Sequence, residues 1–315
     1  MFSKILVKAP SSCANLGSGF DCLGLALNLY NFIEVSYDTQ NRFVYNDKEI
    51  YINSSNDIEK NFIFRIIKKF FDFQNESMPN FSVKIKNHIP LSRGLGSSSA
   101  AISSTLVAIN SLCFDEKYSL DALLDFSLNF ENHIDNLAAS FLGGFVLSGI
   151  MNKKAFYYKF LDFEKNFDKN LVFLFVVPNY KIETENSRQI LFSSQNVHSH
   201  IEYVKGLNKT ILNIISFVNM NKQNLFFTME DEIWHENIRK ENIKFFDEMK
   251  NIAHIYKACG FCLSGSGPSI LILTDKKYLD DIKENLLKIK NFSSISPKFL
   301  ELEPNFEGVK ILWKK

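Results

Sequence analysis

Pro90-Leu-Ser-Arg-Gly94-Leu-Gly96-Ser-Ser-Ser-Ala-Ala101 is rich in glycine and serine, and an apolar face of Ile102, Leu106, Ile109 and Cys113 follows it at helical spacing. Glycines let the backbone come close to a ligand. The first turn of a helix presents unpaired N–H groups and a partial positive charge. A polyphosphate held by those amides and by the hydroxyls of Ser97, Ser98 and Ser99 is the chemistry such a loop serves. No Lys follows Gly96, so the segment is not a Walker loop, and it is not a Gly-x-Gly-x-x-Gly dinucleotide turn. Taken alone, a loop of this kind also caps core helices without binding anything.

Working outward, the 315 residues suffice for one large domain or two moderate ones. The net charge of +1 argues against a nucleic-acid binder, and a charge held locally by amide dipoles needs no basic surface. No uninterrupted apolar run reaches about 18 residues, which excludes a spanning helix. Lys4 and Lys8 interrupt the N-terminus, so it does not read as a signal peptide. The expected compartment is the cytoplasm, and an odd count of five cysteines fits it.

Strands are expected at Ile5–Lys8, 31–37, 81–85, 145–147, 171–177, 270–273 and 309–313. Helices are expected at 57–73, behind the 94–100 loop, after Ser119, and at 200–219 and 242–258. Strands and helices mix without strict alternation, which predicts an α+β fold in two lobes.

Pro90-x-x-x-Gly-Leu-Gly-Ser-Ser-x-Ala resembles the ATP loop of the GHMP kinase superfamily. Residues 9–30, with Asn15-Leu-Gly and Gly19-Phe-Asp21, resemble the N-terminal motif of its homoserine kinase branch. Leu263-Ser-Gly-Ser-Gly-Pro-Ser269 resembles the third superfamily motif. The resemblance implies a ribosomal protein S5 domain 2-like N-terminal lobe over residues 1–165 and a ferredoxin-like C-terminal lobe over 166–315. It implies an ATP-dependent kinase that phosphorylates L-homoserine, with Pro90, Leu91, Ser92, Arg93, Gly94, Leu95, Gly96, Ser97, Ser98, Ser99, Ala100 and Ala101 around the nucleotide.

Phosphoryl transfer needs Mg²⁺ to neutralise the phosphates. Glu131-Asn-His-Ile-Asp-Asn136 resembles the family's Glu-Gly-His-Pro-Asp-Asn stretch, which assigns the metal to Glu131 with Ser98; Asp125 is the alternative carboxylate. The chain has five arginines, so each is informative, and a carboxylate suits a guanidinium. Thr184-x-x-x-Arg188 and His235-Glu-x-x-Arg239 resemble family patterns, placing Arg188 and Arg239 on the acceptor carboxylate with Thr184 nearby. Taken singly, each Arg reads as a surface ion pair. Asp21 and Asp135 are candidates for the ammonium, and Asn15 and His133 complete the pocket. For the hydroxyl proton, His133 or Asp135 is one route and the γ-phosphate itself the other. Arg188 is also placed on the transferring phosphoryl group.

Cys259-Gly-Phe-Cys262 has redox or zinc spacing, but no second pair accompanies it. Ser18, Ile134 and Ser99 depart from the family pattern without removing a charge or donor. The partners implied are ATP and L-homoserine, with neither nucleic acid nor membrane; family members are often homodimers. Two other readings stay open: a related kinase with a mevalonate- or sugar-type acceptor, and a silent ligand-sensing relative.

Overall fold

The computed structural model describes residues 2–182, 191, 199–231 and 233–315. The first sheet is built on β1 (Lys4–Ala14) and β2 (Leu23–Tyr37), antiparallel from Lys4 opposite Ser36 to Ala14 opposite Gly24. Both strands run further than the expected 5–8 and 31–37. From Ala9 onward every residue of β1 is buried, so the apolar–polar alternation that marks a half-buried strand disappears. A register shift between Pro10 and Ser11 bends the ladder.

β3 (Arg42–Tyr45) and β4 (Lys48–Tyr51) form an edge hairpin beside β5 (Phe81–Asn87). β6 (Phe145–Met151) pairs with β2, and β7 (Lys154–Lys159) with β6. The expected helix over 57–73 is instead two helices, α1 (Ser55–Lys60) and α2 (Phe62–Phe73). Asn61 between them is extended, and its side chain accepts the N–H groups of Ile63 and Phe64, so a local cap overrides the four-residue spacing. α3 (Ser97–Cys113) lies under the sheet. α4 (Leu120–Ser127) is capped by Ser119, and α5 (Asp135–Leu142) ends at Gly143. α6 (Leu161–Asn166) leads out of this lobe.

In the second sheet, β8 (Leu171–Val177), β9 (Gly260–Leu263), β10 (Ile270–Asp275) and β11 (Lys298–Leu302) are ordered β11-β8-β10-β9. Numbered along this lobe, that order is 4-1-3-2 with all pairs antiparallel, the ferredoxin-like arrangement. α7 (His200–Val218), α8 (Lys222–Met229), α9 (Glu236–Arg239) and α10 (Phe246–Ile255) lie between β8 and β9; α11 (Leu279–Leu287) follows β10. The expected helix over 242–258 shortens to α10, because Phe245 at φ 63° breaks the run before it.

β8 is buried on both faces. Leu171, Phe173, Phe175 and Val177 belong to the core shared with the first lobe, while Val172, Leu174 and Val176 face the core under α10 and α11. Phe217, Met229, Cys262, Leu271 and Leu273 join the same core, so one face of the second sheet and the helices on it pack on the first lobe. β12 (Lys310–Lys314) pairs with β1, so the tail of the chain belongs to the first lobe's sheet. This corrects the division at 165/166 for the last residues: the edge of β1 is completed by the other end of the chain.

Candidate active site

Three glycine-rich turns meet at the lobe boundary. β1 ends at Ala14 and runs into Asn15, Leu16 and Gly17, all at positive φ, a sparsely populated conformation that concentrates at functional sites. The Asn15 side-chain amide donates to the Gly265 carbonyl at 3.0 Å, and the Gly265 N–H donates to Ala14 O at 3.2 Å. Ser264 Oγ donates to Gly94 O at 2.7 Å, tying the third turn to the phosphate loop. They enclose a cleft of about 810 Å³ whose walls include Asn15, Asp21, Gly94, Ser98, Glu131 and Arg239.

Lining this cleft is the start of α3. Gly96 is its N-cap, at φ 67°, with no side chain closing the first turn and no acid within it. Within the helix itself nothing offsets its positive end; the nearby carboxylate is Glu131, held on Ser99. A Cβ on Gly96 would stand 2.0 Å from Ser12 Oγ, and one on Gly94 2.1 Å from Ser264 O, so only glycine lets the loop sit this close to β1 and the third turn. Ser12 braces it further, donating from Oγ to Asn136 Oδ1 at 2.8 Å and from N–H to Leu95 O at 3.2 Å. Ser98 is exposed at the rim, whereas Ser99 is buried and donates to Glu131 Oε2 at 2.7 Å. A carboxylate beside two hydroxyls is an all-oxygen donor set suited to Mg²⁺.

The same cleft is also lined by Asp21, His133, Asp135 and Arg239. Asp135 opens α5 and is buried; its Oδ1 accepts the Asn136 N–H at 2.7 Å and lies 3.4 Å from His133 Nδ1. The Asp21 N–H donates to Asn15 Oδ1 at 3.0 Å, so the Asn15 side chain bridges Asp21 and Gly265. Arg239 is 5% exposed; Nη1 donates to Gly265 O at 3.3 Å and to His235 Nδ1 at 3.1 Å, and its guanidinium lies 5.4 Å from the Phe20 ring centroid.

Beneath Arg239, Asp231 accepts the backbone N–H groups of Ile233, Trp234, His235 and Glu236 at 2.7–3.0 Å. Burial pushes its carboxyl up, but the His235 ring and these amides outweigh it and hold the carboxyl below its ordinary value. Burial drives His235 down to about 4, against the pull of Asp231 and helped by the Arg239 charge. Glu236, fully enclosed and accepting the Leu263 N–H, is pushed up to about 8, chiefly by burial.

Of the expected nucleotide residues, Pro90, Ser92, Arg93, Gly94, Leu95, Gly96, Ser97, Ser98 and Ser99 line the cleft. Leu91 does not; it is 45% exposed beside it. Nor do Ala100 and Ala101, which lie one turn into α3, where their carbonyls accept the hydroxyls of Ser104 and Thr105. Arg93, which lines the cleft, also holds the loop in place. Its guanidinium donates to Leu91 O, Pro178 O and Asn179 O, fastening the loop to the exit of β8. Asp125 is away from the cleft, accepting the Ala155 N–H of β7 at 2.7 Å. Thr184 and Arg188 lie outside the described residues. Cys259 and Cys262 are buried free thiols.

Sequence reasoning passed over Phe20, Asn136, Gly265, Ser266 and His235 as site residues. Gly265 and Ser266 sit in a motif already marked, so their place was legible. His235 stands four residues before Arg239 in a pattern already marked, but its contact with Gly17 spans the chain and had no local signal.

Comparison with known proteins matches the description "GHMP kinases N terminal domain" over residues 61–144 and "GHMP kinases C terminal" over 214–290. A homoserine kinase of Caldicellulosiruptor bescii is 35% identical over 283 residues, 87% of this chain and 85% of that one. One of Clostridium botulinum is 30% identical over 98% of both chains. The crystal structure of a homoserine kinase from Cytophaga hutchinsonii superposes with a TM-score of 0.83 at 25% identity, covering 99% of this chain and 98% of that one.

Proposed function

The chain belongs to the GHMP kinases and, within them, to the homoserine kinases, and from that premise we propose that its cleft moves the γ-phosphoryl group of ATP to the side-chain hydroxyl of L-homoserine. The products are ADP and O-phospho-L-homoserine, a step towards threonine. The observation that carries this reading is what one cleft holds together. A helix N-terminus with no acid in its own first turn and no side-chain cap is suited to phosphates. Carboxylates at Asp21 and Asp135 and a guanidinium at Arg239 in the same lining are suited to an amino acid's ammonium and carboxylate.

The amides and hydroxyls of Ser97, Ser98 and Ser99 bind the phosphates. Glu131, with Ser98 or Ser99, would hold Mg²⁺, which neutralises phosphate charge when bound. Arg239 and Asn15 orient the acceptor, Asp21 and Asp135 take its ammonium, and Thr184 and Arg188 are assigned to the acceptor as well. His133 stands beside Asp135 at 3.4 Å and helps fix that carboxylate. In this reading the hydroxyl proton passes to the γ-phosphate, Asp135 being taken up by the acceptor's ammonium. Rate enhancement then comes from alignment and charge stabilisation.

The same reading places the enzyme in the cytoplasm, supported by its five free thiols. Among the described residues no helix is long and apolar enough to cross a membrane. It also includes a homodimer, supported by the exposed apolar stripe Ile201, Val204, Leu207, Ile211 and Ile215 on α7, which a second copy would cover.

The test is ADP release with ATP, Mg²⁺ and, in turn, L-homoserine, mevalonate and galactose, with the product identified by mass spectrometry. Turnover with homoserine alone is expected. Turnover with another acceptor favours a different small-alcohol kinase, and ATP binding without turnover favours a ligand sensor.

A further inference from the structure

We propose that His235 is a positioning residue: its imidazole, anchored on Gly17 of the first lobe, fixes the guanidinium of Arg239 in the cleft. The proposal rests on the reading that Arg239 receives the acceptor carboxylate.

Arginine carries only donors, so the Nδ1 atom facing Arg239 Nη1 at 3.1 Å must present its lone pair. The ring proton therefore sits on Nε2, which donates to Gly17 O at 3.2 Å and lies 3.5 Å from Asp231 Oδ2. Burial keeps the ring from protonating until about pH 4, so this tautomer persists at working pH. Asp231, through four backbone amides, holds the turn that presents His235 and starts α9.

Phe20 completes the arrangement. It stacks on the imidazole with centroids 5.0 Å apart and an interplanar angle of 26°, and it also faces the guanidinium. Gly17 and Phe20 belong to the same N-terminal motif as Asn15 and Asp21. The motif therefore reaches the acceptor twice, directly through Asn15 and Asp21 and indirectly through His235 and Arg239. Arg239 Nη1 donates to His235 Nδ1 and to Gly265 O, and losing the first removes one of the contacts that orient the guanidinium.

The experiment compares steady-state constants of wild type, His235→Phe, His235→Asn and Arg239→Leu. His235→Phe keeps the ring stacked on Phe20 but removes the acceptor. It should raise the KM for homoserine about 10-fold or more while the KM for ATP stays within about twofold. Asn places a carbonyl oxygen where Nδ1 was and should recover most of the loss. In an Arg239→Leu background, His235→Phe should add nothing further.

An unchanged homoserine KM in His235→Phe, beside a raised one in Arg239→Leu, would overturn the proposal and leave the acceptor assignment standing. Equal rises in both KM values, or no rescue by Asn, would reduce His235 to a packing role. An unchanged KM in Arg239→Leu removes the acceptor assignment and this proposal together. Should the Phe variant not fold, His235→Gln keeps the Gly17 contact without the Arg239 acceptor, and it must then behave worse than Asn.

Discussion

Ser99 Oγ donates a 2.7 Å hydrogen bond to Glu131 Oε2, so the carboxylate assigned to the metal is anchored to the helix whose first turn faces the phosphates. The two halves of the proposed phosphate site are thereby held in register by one part-buried contact. A carboxylate on a loop would otherwise sample several rotamers, and holding it in one saves ordering entropy when the metal arrives.

Glu131→Gln should lower kcat by about 100-fold or more, because a neutral amide is a poor ligand for a hard cation. Ser99→Ala should be milder, raising the Mg²⁺ concentration for half-maximal rate by roughly 3- to 10-fold, the loss of one hydrogen bond to a charged group. A Mg²⁺ titration of both variants checks this; an unaltered Mg²⁺ requirement in Glu131→Gln would move the metal elsewhere.

Gly96→Ala combines a left-handed backbone with a Cβ 2.0 Å from Ser12 Oγ. It should destabilise the protein by about 1–3 kcal/mol. The affinity for ATP should fall as well, since the loop must lift off β1. Thermal denaturation and a nucleotide-binding titration measure the two effects. Retention of full ATP affinity would show that the close approach is not needed.

Arg93→Ala removes three donors to Leu91 O, Pro178 O and Asn179 O. The phosphate loop would then lose one of its attachments to the second lobe, keeping that of Ser264 to Gly94. The expected outcome is a KM for ATP raised about 3- to 10-fold with kcat much less affected. An Arg acting directly on the transferring group would instead show its main loss in kcat.

Glu236 is neutral in the folded protein up to about pH 8, against 4.5 for an ordinary carboxyl. Its contribution to stability is complete below pH 4.5 and is lost as the pH rises through 8, at roughly 1.4 kcal/mol per unit within that window. His235 acts with the opposite sign between about 4 and 6.5, its ordinary value, where rising pH favours the fold. Comparing wild type with Glu236→Gln isolates the first effect. The Tm of the wild type should fall relative to the variant from pH 5 to pH 8, and parallel curves would contradict it.

Much of this was legible in the chain itself. Gly94 and Gly96, the serines behind them and the apolar spacing from Ile102 announce a loop entering a helix, because positive φ and helix starts leave local signatures. The second half of β1 was not legible, since burial on both faces erases alternation. Asn61 was misread because an N-cap inside an apolar run looks like one more polar residue on a continuous helix. Arg93 stands in the motif expected around the nucleotide; only the folded chain brings Pro178 and Asn179 to its guanidinium.

Sequence alone determined the fold class, the phosphate-binding helix start and the three turns that border the cleft, because each depends on backbone preferences within a few residues. The tertiary structure decided which charges share the cleft and how they are held. Asn15 meets Gly265 across 250 residues of chain, and Gly17 meets His235 across 218. Contacts of that span depend on how two sheets close on a shared core, and no short-range pattern in the sequence encodes them.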